Sequence, residues 1–556
     1  MGKRQKLRQP RETVVPLPAL WLTLVVVTVY FASTGFGFTE LDDTIFVRDF
    51  RSYYENADFV SAFRRGVFHA TDDTYYRPLF LNVMMLNYRL AGDAPAAYHA
   101  VNIVLHLVCV LVLFRLLKAH GIRQWQAFLL VLVFAVHPVL SQAVSWIPGR
   151  NDTLMSLIVF GYFLFSLRFM REGRPAYLVL SFVALVLAMF TKETALLTPI
   201  ASAVLLMVLE QRSYREKRML LLFGMWLLAY IIYFIVRSGA TLKESLLVPA
   251  EIAGGFIERL PLVLQYTGKI FFPFNLSVFP VQKDTTLLWG IAAIFVLGGL
   301  VLAGKEKNNR YIITGLALFI IFLLPALLVP ARLNEQAFEH RLYLPLAGLL
   351  FLLPETVLFR NSFRPSTIIT LFSVAVVLLA VLNIRHQQYF RDPKVFWDQA
   401  AATSPNSAYA LMMHGARTDD PTQKAALFRR AYALNPNEKY LNFYYGLMLQ
   451  EHDSVLHSEP YLLKEQQVSG YYECDFYLAK VDFQKNDLPG AAAHLERYLA
   501  TDSLSTPANN NLLLLYIDLQ QGAKAAAHIR AMERRGLNVP PQQKQQVQAL
   551  VSRGSQ

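Results

Sequence analysis

The sequence predicts an all-α, polytopic membrane protein that ends in an α-helical repeat domain, and three observations predict it. Of 556 residues, 54% are hydrophobic and only 17% are charged, with a mean hydropathy of +0.33; this is too apolar for an ordinary soluble protein. Apolar runs long enough to cross, or nearly cross, a bilayer recur as far as residue 384. After that point charge, Gln and Asn rise, and apolar residues fall to helical spacing.

About eleven membrane helices are expected, over 14–37, 96–117, 124–140, 152–170, 176–191, 194–210, 219–237, 286–304, 310–330, 342–360 and 366–384. The first follows a basic segment and ends in FGFTELDD rather than a small-residue cleavage site, so it reads as a retained helix and not a signal peptide. Lys and Arg set the orientation. The N-terminus, the turns holding Arg115, Lys118 and Arg123 and then Arg168, Arg171 and Arg174, and the segments RSYREKR, KEKNNR and RNSFR all fall on one side, taken as cytoplasmic. Residues 1–13 are then a cytoplasmic basic arm, and 14–384 a membrane domain with outer loops at 38–95 and 238–285. Residues 385–556 form an extracytoplasmic domain. Pro261 and Pro273 interrupt the apolar stretch of the second outer loop and predict a short or re-entrant helix there. The expected location is a bacterial inner membrane with the tail in the periplasm, or, in a eukaryote, the endoplasmic reticulum with the tail in the lumen.

The net charge of +13 does not point to nucleic acid, because the basic residues recur in short clusters between apolar runs and build no basic-aromatic platform. Cys109 lies in an apolar run and Cys474 far away in the tail, with no CxxC or Cys/His cluster, so the cysteines indicate neither a disulfide nor a metal. In the tail, SPNSAYALMMHGA (404–416) resembles NPNEKYLNFYYGL (435–447), and AALFRRAYALNPNEKY and AAAHLERYLATDS place small residues where paired helices approach. This is the pattern of tetratricopeptide repeats, which offer a surface to polypeptides or partner proteins.

Chemistry is expected on the outer side. Asp42 and Asp43 follow the first helix, Arg77 sits in DDTYYRPLF, and HPVLSQAVSWIPGRND holds His137, Gln142, Arg150 and Asp152. Lys192 and Glu193 lie between two short helices, and FEHRLYLP carries His340 and Arg341. Each cluster alone could be a helix cap or an interfacial ion pair. Together on one face they suit a lipid-phosphate-linked donor: cations bind the phosphate at the bilayer edge, and a carboxylate takes the proton of an acceptor hydroxyl.

In this order, DDTIF, YYRPL, YHAVNIVLHL, FAVHPVLSQAVSWIPGRND, TKET and EHRLYLP resemble the membrane part of the TMTC (transmembrane and tetratricopeptide repeat) glycosyltransferases, relatives of the protein O-mannosyltransferases in the GT-C fold class. The resemblance implies inverting transfer of mannose or another hexose from a polyprenyl-phosphate donor to an acceptor, either protein Ser/Thr or a lipid or envelope glycan, at the extracytoplasmic face. It implies Asp42 or Asp43 as base, with Asp42 the first choice and Asp43 then its partner or a group that positions the acceptor, and Arg77, Lys192 and Arg341 on the donor phosphate. His137, Arg150, Glu193 and His340 complete the set as substrate-binding residues. No cofactor is required by it and a divalent cation is allowed, although Gln142 stands where the family pattern has glutamate. A non-enzymatic membrane scaffold whose outer repeats assemble partners is the alternative from another class.

Overall fold

The computed structural model describes residues 15–68, 75–240, 249–329, 335–360, 363–451 and 454–554. The basic residues expected before position 14 and Asp72 and Asp73 lie outside the described residues. Among the described residues, seven helices are long and apolar enough to span a membrane, and the bent pair Gln124–Val136 and Pro138–Ser145, at 52°, makes up to eight. Three shorter apolar helices, Pro175–Thr191, Glu193–Leu209 and Leu288–Leu302, account for the remaining expected runs. Among the described residues, strand-type pairing is limited to the bridge between Val281 and Gln336.

Helix Pro95–Ala119 runs from Tyr98 and Asn102 at one end of the bundle to His120 at the other. Helix Arg150–Glu172 runs alongside it, from Asp152 to Arg171. The expected basic turns gather at the second end, where Arg171 and His120 both bind Glu210, Arg218 holds the Met170 carbonyl and Arg360 pairs with Glu355. The residues singled out for chemistry gather at the first end. Small residues let helices close in where lipid supplies no hydrophobic drive. A side chain on Gly290 would strike the Leu264 carbonyl, and one on Gly348 would press on Leu318 and Phe319. Gly290→Ala should therefore pry helix Leu288–Leu302 from helix Pro261–Phe271 and cost about 1–3 kcal/mol, read as a lowered melting temperature in detergent.

The loop after the first helix is a folded cap rather than a solvated crossover. Phe46, Val47, Phe50, Tyr54, Phe80, Leu81, Met84 and Met85 form an apolar core of its own, under helix Pro78–Ala91. In the second loop, helices Pro249–Arg259 and Pro261–Phe271 replace the single interrupted run, ending before Pro273 as the prolines require.

The chain divides into two compact units after Ser404, not at 384. Helix Pro393–Thr403 stays with the membrane unit: buried Trp397 donates its indole N–H to the Thr39 carbonyl at 3.0 Å, and Ser404 Oγ donates to the Phe279 carbonyl at 2.6 Å. The composition shift at 385 marks where the chain leaves the apolar layer, which is not where its packing ends. The second unit is a run of short helices from Ala408–Ala416 to Pro541–Gly554. The two aligned sequence segments place Gly415 against Phe428 and Gly446 against Leu462, equivalent close approaches of a helix onto its neighbour. Proline-led helices follow the capping residues Asp420 and Asp487, whose carboxylates accept the N–H groups of Thr422 and Gly490.

Candidate active site

Asp42 and Asp43 differ sharply in their surroundings. Asp43 is buried and closes the turn 39–44: its Oδ2 accepts the Thr39 N–H at 2.6 Å and the Thr39 hydroxyl at 2.9 Å, and its Oδ1 accepts the Thr44 N–H at 3.0 Å. Burial pushes its carboxyl upward and these donors pull it back. Thr39 is also the residue held by Trp397, so Asp43 anchors the loop to helix Pro393–Thr403. Asp42 is half-buried, and its carboxylate has no hydrogen-bond partner among the described residues. Burial, and then the charge of Asp43, push it up from 3.8 to about 7, with Arg77 pulling the other way.

Arg77 caps the start of helix Pro78–Ala91, and its Nε lies 2.9 Å from Glu193 Oε2. The other Glu193 oxygen accepts the Tyr76 N–H at 3.0 Å, so this carboxylate ties the first loop to the break between helices Pro175–Thr191 and Glu193–Leu209. At that break Lys192 is extended, and its Nζ sits 2.7 and 2.8 Å from the two oxygens of Asp152. His340 Nε2 lies 3.9 Å from Asp152 as well, and its ring packs against those of Trp146 and Phe338, which also touch each other. The charges of Arg77 and Arg341 act on both Lys192 and His340, which puts all four in one field. Arg341 donates to the Gln336 carbonyl at 2.9 Å and forms no ion pair with a described carboxylate. Arg77 and Lys192 are each matched by one acid, and Arg341 supplies the surplus positive charge.

Two expected substrate-binding residues do other work. His137 is buried at the bend, where its Nδ1 accepts the Val139 N–H at 3.3 Å and its Nε2 donates to the Ile270 carbonyl at 2.9 Å. Both ring nitrogens are spent on backbone, the helix-end role that a His-Pro pair also allows. Arg150 is fully buried among Asn102, the Tyr98 carbonyl and Met84, and so clamps helices together.

Gln142 is a junction. Its Oε1 accepts the N–H groups of Glu339 and His340 at 3.0 and 3.2 Å and faces His340 Nδ1 at 3.1 Å, while its Nε2 donates to the Val278 carbonyl at 3.1 Å. A carboxylate at this position would lose that last donation. Among the described residues no three His, Cys, Asp or Glu side chains gather as a metal-ligand set.

Sequence reasoning overlooked two groups. Asp152 was grouped with the site but given no role, although it organises Lys192 and His340. Lys269 and Glu339 form a fully buried pair at 2.6 Å, with His386 Nε2 3.7 Å from the second Glu339 oxygen. A lysine inside an apolar helix was the available signal.

Residues 77–238 match the model of the dolichyl-phosphate-mannose-protein mannosyltransferase family, PMT_2. The match spans Arg77, Asp152, Lys192 and Glu193 and thus most of the gathered charges. Those residues all lie in the membrane unit, which is similar to that family over this stretch. Mouse protein O-mannosyl-transferase TMTC1 is 35% identical over 147 residues, 24% of this chain and 15% of its own length. Protein O-mannosyl-transferase F38B6.6 of Caenorhabditis elegans is 25% identical over 334 residues, 57% of this chain and 47% of its length. Human protein O-mannosyl-transferase TMTC4 is 28% identical over 348 residues, 51% of this chain and 47% of its length. The aligned part of this chain thus covers less than half the length of each of these curated relatives. These likenesses bear out the resemblance carried by the motifs.

Proposed function

We propose that the membrane unit is an inverting glycosyltransferase that moves a hexose, mannose first among candidates, from a polyprenyl-phosphate donor to a Ser or Thr hydroxyl of a polypeptide. The observation that carries this reading is the pairing of an unengaged carboxylate, Asp42, with a cation cluster that holds one charge more than its acids. A polyprenyl-phosphate sugar is a phosphodiester with one negative charge, which Arg341 would balance beside Arg77 and Lys192. Asp42 takes the proton of the acceptor hydroxyl as its oxygen attacks the anomeric carbon and the bond from that carbon to the phosphate oxygen breaks. Polyprenyl phosphate departs with a second negative charge developing, so the cations stabilise the transition state more than the ground state.

Glu193 and Asp152 hold Arg77 and Lys192 in place, and Gln142 fixes the segment that carries His340 and Arg341. His340, facing Asp152 and flanked by aromatic rings, is suited to the sugar. The active face is extracytoplasmic, opposite the basic turns, and the repeat-like unit is suited to present acceptor polypeptides or partner proteins.

The test is reconstitution of the full chain in vesicles with polyprenyl-phosphate mannose and a Thr-containing peptide, with product read by mass spectrometry. Sugar on the peptide with released polyprenyl phosphate is the expected result; sugar found only on lipid, or no turnover of the donor, overturns the reading. Arg341→Gln should raise the donor KM by about tenfold, as loss of one charge-assisted contact to phosphate would.

A further inference from the structure

A cavity lies beside the segment that carries Arg341. It has a volume of about 280 Å³ and is lined by Glu258, Gln265, Lys283 and Glu335 together with apolar and backbone surface. Gln265 is 4% exposed. Its Nε2 donates to the carbonyls of Gln282 at 3.0 Å and Thr285 at 2.7 Å, which fixes the amide's orientation and uses its donors. Its Oε1 is left buried with no hydrogen-bond partner, a costly arrangement unless something else supplies a donor. The charged side chains of the lining, two glutamates and one lysine, sum to one negative charge.

The cavity is joined to the proposed site by a short path. Val281, in its wall, pairs with Gln336, and the Ala337 N–H donates to the Pro280 carbonyl at 2.7 Å. Gln336 is next to the lining residue Glu335, and its carbonyl accepts Arg341. An extended chain advances about 3.3–3.6 Å per residue, so a polypeptide with a hydroxyl at the sugar would bring a neighbouring side chain to this cavity.

We propose that this cavity is an acceptor subsite that takes a Lys or Arg side chain of the polypeptide, close in sequence to the glycosylated hydroxyl. The inference rests on the glycosyltransferase reading for its place in the reaction, but not for its chemistry. An ammonium or guanidinium has donors and no acceptor. It meets the orphan Gln265 oxygen and the carboxylate of Glu258, whereas an acidic side chain would meet acceptors of its own sign.

The test uses the full chain in lipid nanodiscs, without sugar donor, and two Thr-containing peptides identical except for Lys or Gln beside the Thr. Calorimetry should give a Kd about tenfold lower for the Lys peptide, a difference of about 1.4 kcal/mol. Glu258 is at the exposed rim, so Glu258→Lys leaves the fold intact and should reverse the preference toward a Glu-bearing peptide. Gln265→Leu should weaken binding of the Lys peptide. Equal Kd values for the two peptides, or a preference unchanged in Glu258→Lys, overturns the subsite. Preferential binding without any sugar transfer in the reconstituted assay would instead overturn the enzyme reading and leave the subsite standing.

Discussion

Asp42→Asn should reduce sugar transfer by 10²- to 10⁴-fold, the usual contribution of a positioned general base, while donor binding is retained. The amide keeps the shape of the side chain and removes the acceptor for a proton. The pH dependence follows from the position of Asp42. Its carboxyl is raised to about 7 in the folded chain, and only the carboxylate can act as base. The log of kcat/KM should therefore climb with pH below about 7 and level off above it. Arg77→Gln removes the charge that pulls Asp42 downward, so the rising limb should move to higher pH.

Unfolding is separable from loss of the base. A carboxyl raised above 3.8 binds its proton more tightly in the folded chain, so its contribution to stability falls as pH rises from about 4 to 7. Asp42→Asn should then melt no lower than the parent at pH 8. Asp43→Ala is expected to behave in the opposite way. It strips acceptors from Thr39 and Thr44 and loosens the loop, so stability should fall along with activity. A melting curve beside the pH–rate profile checks both; full activity of Asp42→Asn at normal stability would remove Asp42 from the mechanism.

Glu339→Ala should be the most destabilising single change in the membrane unit, by about 3–5 kcal/mol, because it leaves Lys269 charged, buried and unpaired. Lys269 and Glu339 are 1% and 0% exposed in their side chains, and the same Glu339 oxygen also accepts the Ser277 N–H at 3.0 Å. Removing both charges is a different experiment from removing one. Lys269→Met with Glu339→Leu replaces an ion pair by apolar volume and should recover most of the lost stability, read as melting temperature and as the monodisperse fraction in detergent. If the double variant is no better than Glu339→Ala, the pair is not what the single change disrupts. Glu339 stands between Phe338 and His340 on the strap that carries Arg341, so a folded double variant should also show a raised donor KM.

The membrane helices, the folded second loop and the repeat-like tail were legible because they follow from composition and periodicity. A run of apolar residues is costly anywhere but in a bilayer or a core, and Pro261 and Pro273 limit a helix wherever it lies. The spacing of Gly415 and Gly446 was legible for the same local reason. Arg77, Lys192, Glu193 and Arg341 were found by asking which charges sit at membrane depth, and the structure brings them together. The partners of His137 and Arg150 within the fold were not legible, because a sequence shows which groups can bind a ligand, not which already hold backbone or a neighbouring side chain. Lys269 was passed over because its partner is Glu339, far along the chain.

The sequence by itself determined that this chain is a helical membrane protein with charged groups gathered at one end and a repeat-like tail. Those properties are sums over local segments and their transfer from water. Only the tertiary structure decided that Asp43 is a structural anchor and Asp42 the unengaged acid, and that Arg341 is the cation left over once Glu193 and Asp152 have found Arg77 and Lys192. The reason is physical: hydrogen bonds and ion pairs are exclusive, and which group remains available depends on partners that adjacent sequence does not name.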